Sequence, residues 1–144
     1  MVSAKYWKLN EDKQPVECGL LEWGEFFGDD EKRRVAYTQT EHFEVSTVFL
    51  GLDHSFGRNG PPILFETMIF NRAVAGATES DMREILKGAD CFRYASWDDA
   101  ETGHATAVRR VLLAESFPAA EIERFLADMP EHLARHFLDL LPSK

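Results

Sequence analysis

The feature that most restricts the fold is a pair of apolar runs separated by a short polar loop. Phe43–Leu52 and Ile63–Phe70 are rich in β-branched and aromatic residues, and the loop between them, Asp53–Pro62, carries Gly57, Gly60 and the pair Pro61-Pro62. Runs of this length and composition, bounded by turn residues, read as strands. The first is apolar on both alternating faces, with Phe43, Val45 and Phe49 on one and Val48, Leu50 and Leu52 on the other. Burial on two sides predicts a central strand with a helix over at least one face. The prolines end the loop and set the entry to the second strand.

The flanking segments extend this pattern. Residues 5–9, "KYWKL", alternate and read as a short strand, followed by a turn at "NEDKQP". "GLLEWGEFFG" spaces its large apolar residues as an amphipathic helix closed by Gly28, with Gly24 weakening it. "RVAYTQT" reads as a strand, turning near Glu41-His42 into Phe43. The basic run "EKRRV" reads as a solvated turn. A short helix is expected from Thr78 or Ser80 to Lys87, and "CFRYA" as an edge strand. Ser96 and Asp99 have capping-box spacing ahead of a helix over Trp97–Leu113. Its apolar stripe is Trp97, Ala100, His104, Ala107, Val108 and Val111. Beyond Pro118 two helical segments follow, one with Ile122, Phe125, Leu126 and Met129, the other with Leu133, Phe137, Leu140 and Leu141. The expected architecture is α+β: a small, mainly antiparallel sheet of four to five strands packed on a helix. Residues 1–114 form the core and 115–144 a helical C-terminal extension, packed on the core or on a partner.

Composition narrows the function classes. The 144 residues include eleven Phe and three Trp, ample for one domain with a ring-rich core. Net charge is −9, and each half is acidic, so clustered cations for a phosphate backbone are lacking and direct nucleic-acid binding is disfavoured. The start of the chain lacks the apolar stretch of a signal peptide, and no run is long enough to cross a membrane. Cys18 and Cys91 have no metal-ligand or CxxC spacing and read as reduced thiols. The expected setting is cytoplasmic, in a bacterial host cell.

Four residues carry candidate chemistry. His54 opens the loop beside Asp53, and can act as a base or ligand oriented by it; alternatively Asp53 bonds loop amides. Glu66 is the one charge in the second run, sharing a face with Leu64, Met68 and Phe70; it is either a catalytic acid or the partner of a cation such as Arg58 or Arg93. His104 lies on the apolar helix stripe, where a packed histidine bonded to a backbone or hydroxyl group competes with a catalytic one. If the helix crosses the sheet near the loop, His104, His54, Asp53 and Glu66 converge in a pocket with metal or acid/base potential. His132 and His136 lack the Glu of a zinc-protease motif, and there is no phosphate-binding loop and no nucleophile elbow.

"STVFLGLDHSFG", "GPPILFETMIF" and "RYASWDDAETGH" together resemble a family of short proteins of unknown function encoded in phages, prophages and bacterial chromosomes. The likeness spans roughly residues 5–112. Residues 71–90 are longer than the usual link, and the tail is additional. The resemblance implies a phage-linked context and no particular catalysis. The expectation is therefore a non-enzymatic, acidic binding protein needing no metal or cofactor, engaging a protein partner or a second copy through its tail. Asp53, His54, Arg58, Arg93, Tyr94 and Trp97 are the candidate binding set. The rivals are a small metal-dependent or acid/base hydrolase using Asp53, His54, Glu66 and His104, a nucleotide-binding sponge, and an acidic inhibitor of host defence.

Overall fold

A computed structural model gives the fold and describes residues 5–72, 91–116, 124 and 127–132. The helix expected after Thr78 and nearly all of the helical tail lie outside the described residues. The elements are β1 (Tyr6–Leu9), β2 (Pro15–Cys18), α1 (Leu20–Phe27), α2 (Asp30–Arg33), β3 (Arg34–Gln39), β4 (Phe43–Phe49), β5 (Phe65–Asn71), β6 (Cys91–Tyr94) and α3 (Trp97–Ser116). The class is α+β, with a four-stranded antiparallel sheet in the order β3-β4-β5-β6 and a separate β1-β2 hairpin.

The two apolar runs pair directly, from Phe43 opposite Asn71 to Phe49 opposite Phe65. Side chains alternate across a strand. Phe43, Val45, Thr47 and Phe49 are accordingly buried, while Glu44, Ser46 and Val48 are half-buried. The two-sided burial expected for β4 is thus one-sided: α3 covers the odd-numbered face. β4 ends at Phe49, short of the expected Leu52, because Gly51 turns the chain with φ 72. A side chain there would also collide with the Trp23 indole. At this bend the Trp7 amide donates to the Gly51 carbonyl at 3.0 Å, and Tyr6 bridges Leu52, which docks the hairpin on the sheet.

β2 has no counterpart in the sequence reading. Four residues opening on a proline carry too little pattern to stand out, and the strand exists by pairing Leu9 with Pro15 and Tyr6 with Cys18. The basic run is largely solvated, with Glu31, Lys32 and Arg34 exposed, but it forms the end of a short helix rather than a turn. Asp29 caps α2 by accepting from the Glu31 and Lys32 amides, each at 3.2 Å. Arg33 then folds inward, its guanidinium 3.6 Å from the centre of the Phe27 ring and its Nε donating to the Phe49 carbonyl. The β3–β4 turn is held from two sides. Glu115 accepts from the Thr40 hydroxyl at 2.6 Å and the His42 amide at 2.7 Å, and Arg72 donates to the Thr40 carbonyl at 2.6 Å. α3 thus runs unbroken past Ala114, and its last turn is tied to the sheet.

α3 opens where expected, with the Ser96 hydroxyl accepting from the Asp99 amide at 3.1 Å. Its buried face is Ala100, Gly103, His104, Ala107, Val111 and Ala114. The small residues let the helix lie close to the sheet, and Gly103 lies directly against the Tyr94 ring. Two apolar clusters fill the interface. One joins Phe43, Val45, Ile69, Phe92, Ala107 and Val111; the other joins Leu9, Phe49, Leu64, Phe65 and Ala100. Among the described residues no helix is long and apolar enough to cross a membrane.

Gly103→Ala and Gly24→Ala separate propensity from packing. In an open helix position the exchange gains about 1 kcal/mol. Gly24 has open space around it, so Gly24→Ala raises the thermal midpoint. At Gly103 the new methyl meets the Tyr94 ring, and overpacking of about 1–3 kcal/mol wins, lowering the midpoint by several degrees. Calorimetry of the two variants checks both signs.

Candidate functional site

The chemistry-bearing residues occupy two separate places. The first lies inside, between the apolar clusters. Thr38 of β3, Thr47 of β4 and Thr67 of β5 point from the sheet toward α3, and His104 descends to meet them. The Thr38 hydroxyl is 2.8 Å from His104 Nε2, the Thr47 hydroxyl is 2.8 Å from Nδ1, and Thr47 and Thr67 hydroxyls are 2.6 Å apart. Thr47 and Thr67 are fully buried and His104 is 6% exposed. Both ring nitrogens are therefore occupied by hydroxyls, which can donate or accept as either tautomer requires. Burial pushes the His104 imidazole below its ordinary 6.5, which keeps the ring neutral at pH 7. The Tyr94 hydroxyl is buried at the same level with no hydrogen bond of ordinary geometry, facing Thr67. Burial raises its pKa, and the Thr67 hydroxyl works in the opposite direction.

The second place is the loop and the outer face of the sheet. Asp53 organises the loop: one carboxylate oxygen accepts from the Ser55 amide at 2.8 Å and the Ile63 amide at 2.9 Å, the other from the Ser55 hydroxyl at 2.9 Å. The Ile63 amide is the largest cause holding this carboxyl below its ordinary range. The neck is closed by the His54 amide donating to the Ile63 carbonyl and the Leu50 amide to the Leu64 carbonyl. His54 Nδ1–H donates to the Leu52 carbonyl at 2.8 Å.

At the tip the Arg58 amide donates to the Ser55 carbonyl at 3.1 Å, closing a four-residue turn. Both central residues have positive φ, 50 for Phe56 and 80 for Gly57. This is the pattern of a type I′ turn, whose first central position favours Asn, Asp or Gly. Phe56 is nevertheless there, 79% exposed. Its ring centre lies 5.8 Å from that of His54 and 5.9 Å from the Arg93 guanidinium. Arg93 in turn donates to Glu66 at 2.9 Å, and the Cys91 thiol donates to the same carboxylate oxygen at 3.3 Å.

The four residues of the expected pocket do not meet. Glu66 alternates out of phase with Thr67, so it lies on the outer face with Arg93, while His104 is sealed against the inner face. Leu64 does not share that outer face; it precedes β5 and is fully buried. Asp53 is committed to loop amides. Of the binding set, Arg58 is exposed and Arg93 stands beside Phe56, whereas Tyr94 packs on Gly103 and Trp97 is half-buried edge-on to Phe65. Among the described residues no group of three or more His, Cys, Asp or Glu is placed to hold a metal ion. Cys18 and Cys91 lie in different sheets and are not joined. Sequence reasoning passed over Phe56, although a bulky residue before a loop glycine was a readable signal. It also passed over Thr38 and Thr67, which nothing in a single sequence distinguishes from other strand threonines.

Compared with known proteins, the chain matches no family model, no curated protein and no solved structure.

Two substitutions weigh the two places. Thr47→Val strips partners from His104 and Thr67 inside the core and destabilises by about 1–3 kcal/mol, whereas Ser46→Val on the opposite face stays within about 0.5 kcal/mol. Asp53→Ala lowers stability by about 1 kcal/mol, discounted for its exposure. The sign of its pH dependence follows from the lowered carboxyl pKa: the contribution is present above the ordinary value of 3.8 and fades below it. Denaturant titrations at pH 7 and pH 3 check all three.

Proposed function

We propose that this is a non-enzymatic binding protein, working in a phage-associated setting, that engages a protein partner through the Ser55–Arg58 turn and the adjoining outer face of the sheet. The observation that carries the reading is Phe56. A left-handed backbone strains a residue with a Cβ by about 1–2 kcal/mol, and this ring recovers little by burial because it is 79% exposed. Strain held at an exposed aromatic residue is what a contact point requires and what a purely structural turn avoids. The surroundings fit an anchor. Aromatic and arginine side chains dominate the binding energy of protein interfaces, and Phe56 stands beside Arg93, with Arg58 in the same turn. The turn is held at its base by Asp53 and at its neck by two amide–carbonyl bonds, so little order must be gained on binding.

The partner's chemistry follows from charge. A chain of net charge −9 repels acidic surfaces and attracts basic ones. The partner we infer has an apolar hollow for one ring with a basic rim around it. The phage context rests on the motif resemblance. The hydrolase reading loses support because Asp53, Glu66 and His104 are each engaged in separate bonds, in separate places.

Phe56→Asn tests this directly. Asn tolerates the left-handed conformation, so the variant melts at the same temperature as wild type or a few degrees higher. Its affinity for the partner falls at least about tenfold, as removal of an interface anchor does. A photo-crosslinking residue at position 56 forms a discrete adduct that one placed at Leu21, 84% exposed on α1, does not. Undiminished binding by Phe56→Asn, or a monomer that retains no partner at all, rejects the reading. A hydrolytic activity lost in His54→Ala would favour the enzyme instead.

A further inference from the structure

The buried histidine has a consequence independent of the loop. We propose that His104 is an acid-operated latch, in which a proton added to the ring releases α3 from the four-stranded sheet. Among the described residues the geometry leaves a charged ring no counter-ion. The groups around it, among those residues, are the Thr38 hydroxyl from β3, the Thr47 hydroxyl from β4, the Thr67 hydroxyl behind Thr47 from β5 and, facing Thr67, the Tyr94 hydroxyl from β6. On its own helix the buried neighbours are Ala100, Gly103 and Ala107, Val108 is half-buried beside them, and the nearest acid along the helix, Glu101, is exposed to solvent. Burial is the cause of the downward shift of its titration, and among the described residues no charged group adds to it.

The proton balance is simple. In the neutral ring one nitrogen donates and the other accepts, so one flanking hydroxyl must donate to it. Protonation turns both nitrogens into donors, so Thr38 and Thr47 must both accept. Thr47 still passes its own hydrogen to Thr67, but the cation stays in a dry layer between two apolar clusters. A buried charge without a partner is relieved by hydration. Water can enter from the Thr38 side, because β3 is an edge strand and Thr38 is only half-buried. α3 is the element over this face, and it packs on all four strands, so hydrating the ring means lifting the helix.

The sign follows from linkage. The folded ring takes its proton at a lower pH than the unfolded chain, whose value is 6.5. The latch is fully closed above 6.5 and weakens as the pH falls below it, because the unfolded or opened state binds one more proton. The test is the unfolding equilibrium of wild type, His104→Gln and His42→Gln between pH 8 and pH 5. The Gln amide stays neutral and can bond two hydroxyls. Below 6.5 the wild-type unfolding constant rises by up to about tenfold per pH unit. His42→Gln keeps that rise, and His104→Gln loses most of it. In parallel, the wild-type His104 ring, followed by NMR, titrates below 6.5 in the folded state, and a dye that binds exposed apolar surface is taken up at pH 5 by wild type and not by His104→Gln. The same pH dependence in His104→Gln as in wild type, or a folded-state ring that titrates at 6.5, overturns the proposal. If His104→Gln does not fold, the wild-type ring titration decides alone.

Discussion

A polar side chain survives in a dry core only where its hydrogen-bonding groups find partners, and in this protein that condition falls on His104. One imidazole binds hydroxyls from two strands, and a third strand joins through the Thr47–Thr67 bond. The arrangement fixes the rotation and height of α3, because either nitrogen loses its partner if the helix turns or rises. It also depends on strand register. A shift of β5 by one residue would carry Thr67 to the outer face and bring Glu66 into the core. Apolar packing on either side supplies most of the stability, while the polar layer selects one alignment among those that packing alone would tolerate.

Closeness is the second half of the constraint. A histidine reaches strand hydroxyls at 2.8 Å only if the helix backbone lies low on the sheet, and Ala100, Gly103 and Ala107 allow that. Gly103 leaves room for the Tyr94 ring, which packs against both apolar clusters. With the inner face closed in this way, the charged and reactive groups of β5 and β6 are left to the outer face. There Glu66, Arg93 and Cys91 interact with one another, and Phe56 stands over them at the loop tip. The division between an inner side that holds the fold together and an outer side that can meet a partner follows from strand alternation.

Much of this was legible residue by residue. Asp53 in a loop after a strand is expected to bond nearby amides, and it bonds those of Ser55 and Ile63. Glu66 needed a cation; Arg93 is that cation rather than Arg58, because Arg93 sits directly across the β5–β6 pair. The helix stripe was readable to within a residue or two, apart from Gly103 and Ala114, which are too small to signal burial by themselves. The expected meeting of His54, Glu66 and His104 failed on parity. Glu66 and Thr67 are adjacent in sequence and therefore on opposite faces, but nothing local says which of the two faces receives a helix. β2 was missed because four residues have no period to detect, and Arg33 because its burial depends on Phe27 and the Phe49 carbonyl.

Sequence by itself determined much of the local structure: the longer strands and helices, and roughly where the loop between the two apolar runs lies. Periodicity, glycine, proline and capping residues act within a few positions, so they can be read without a fold. Tertiary structure decided which side of the sheet became interior, and with it whether a threonine is a core hydrogen-bond partner and whether a carboxylate faces a histidine or an arginine. Those outcomes depend on contacts between residues as far apart as Thr38 and His104. They exist only once the helix has chosen a face.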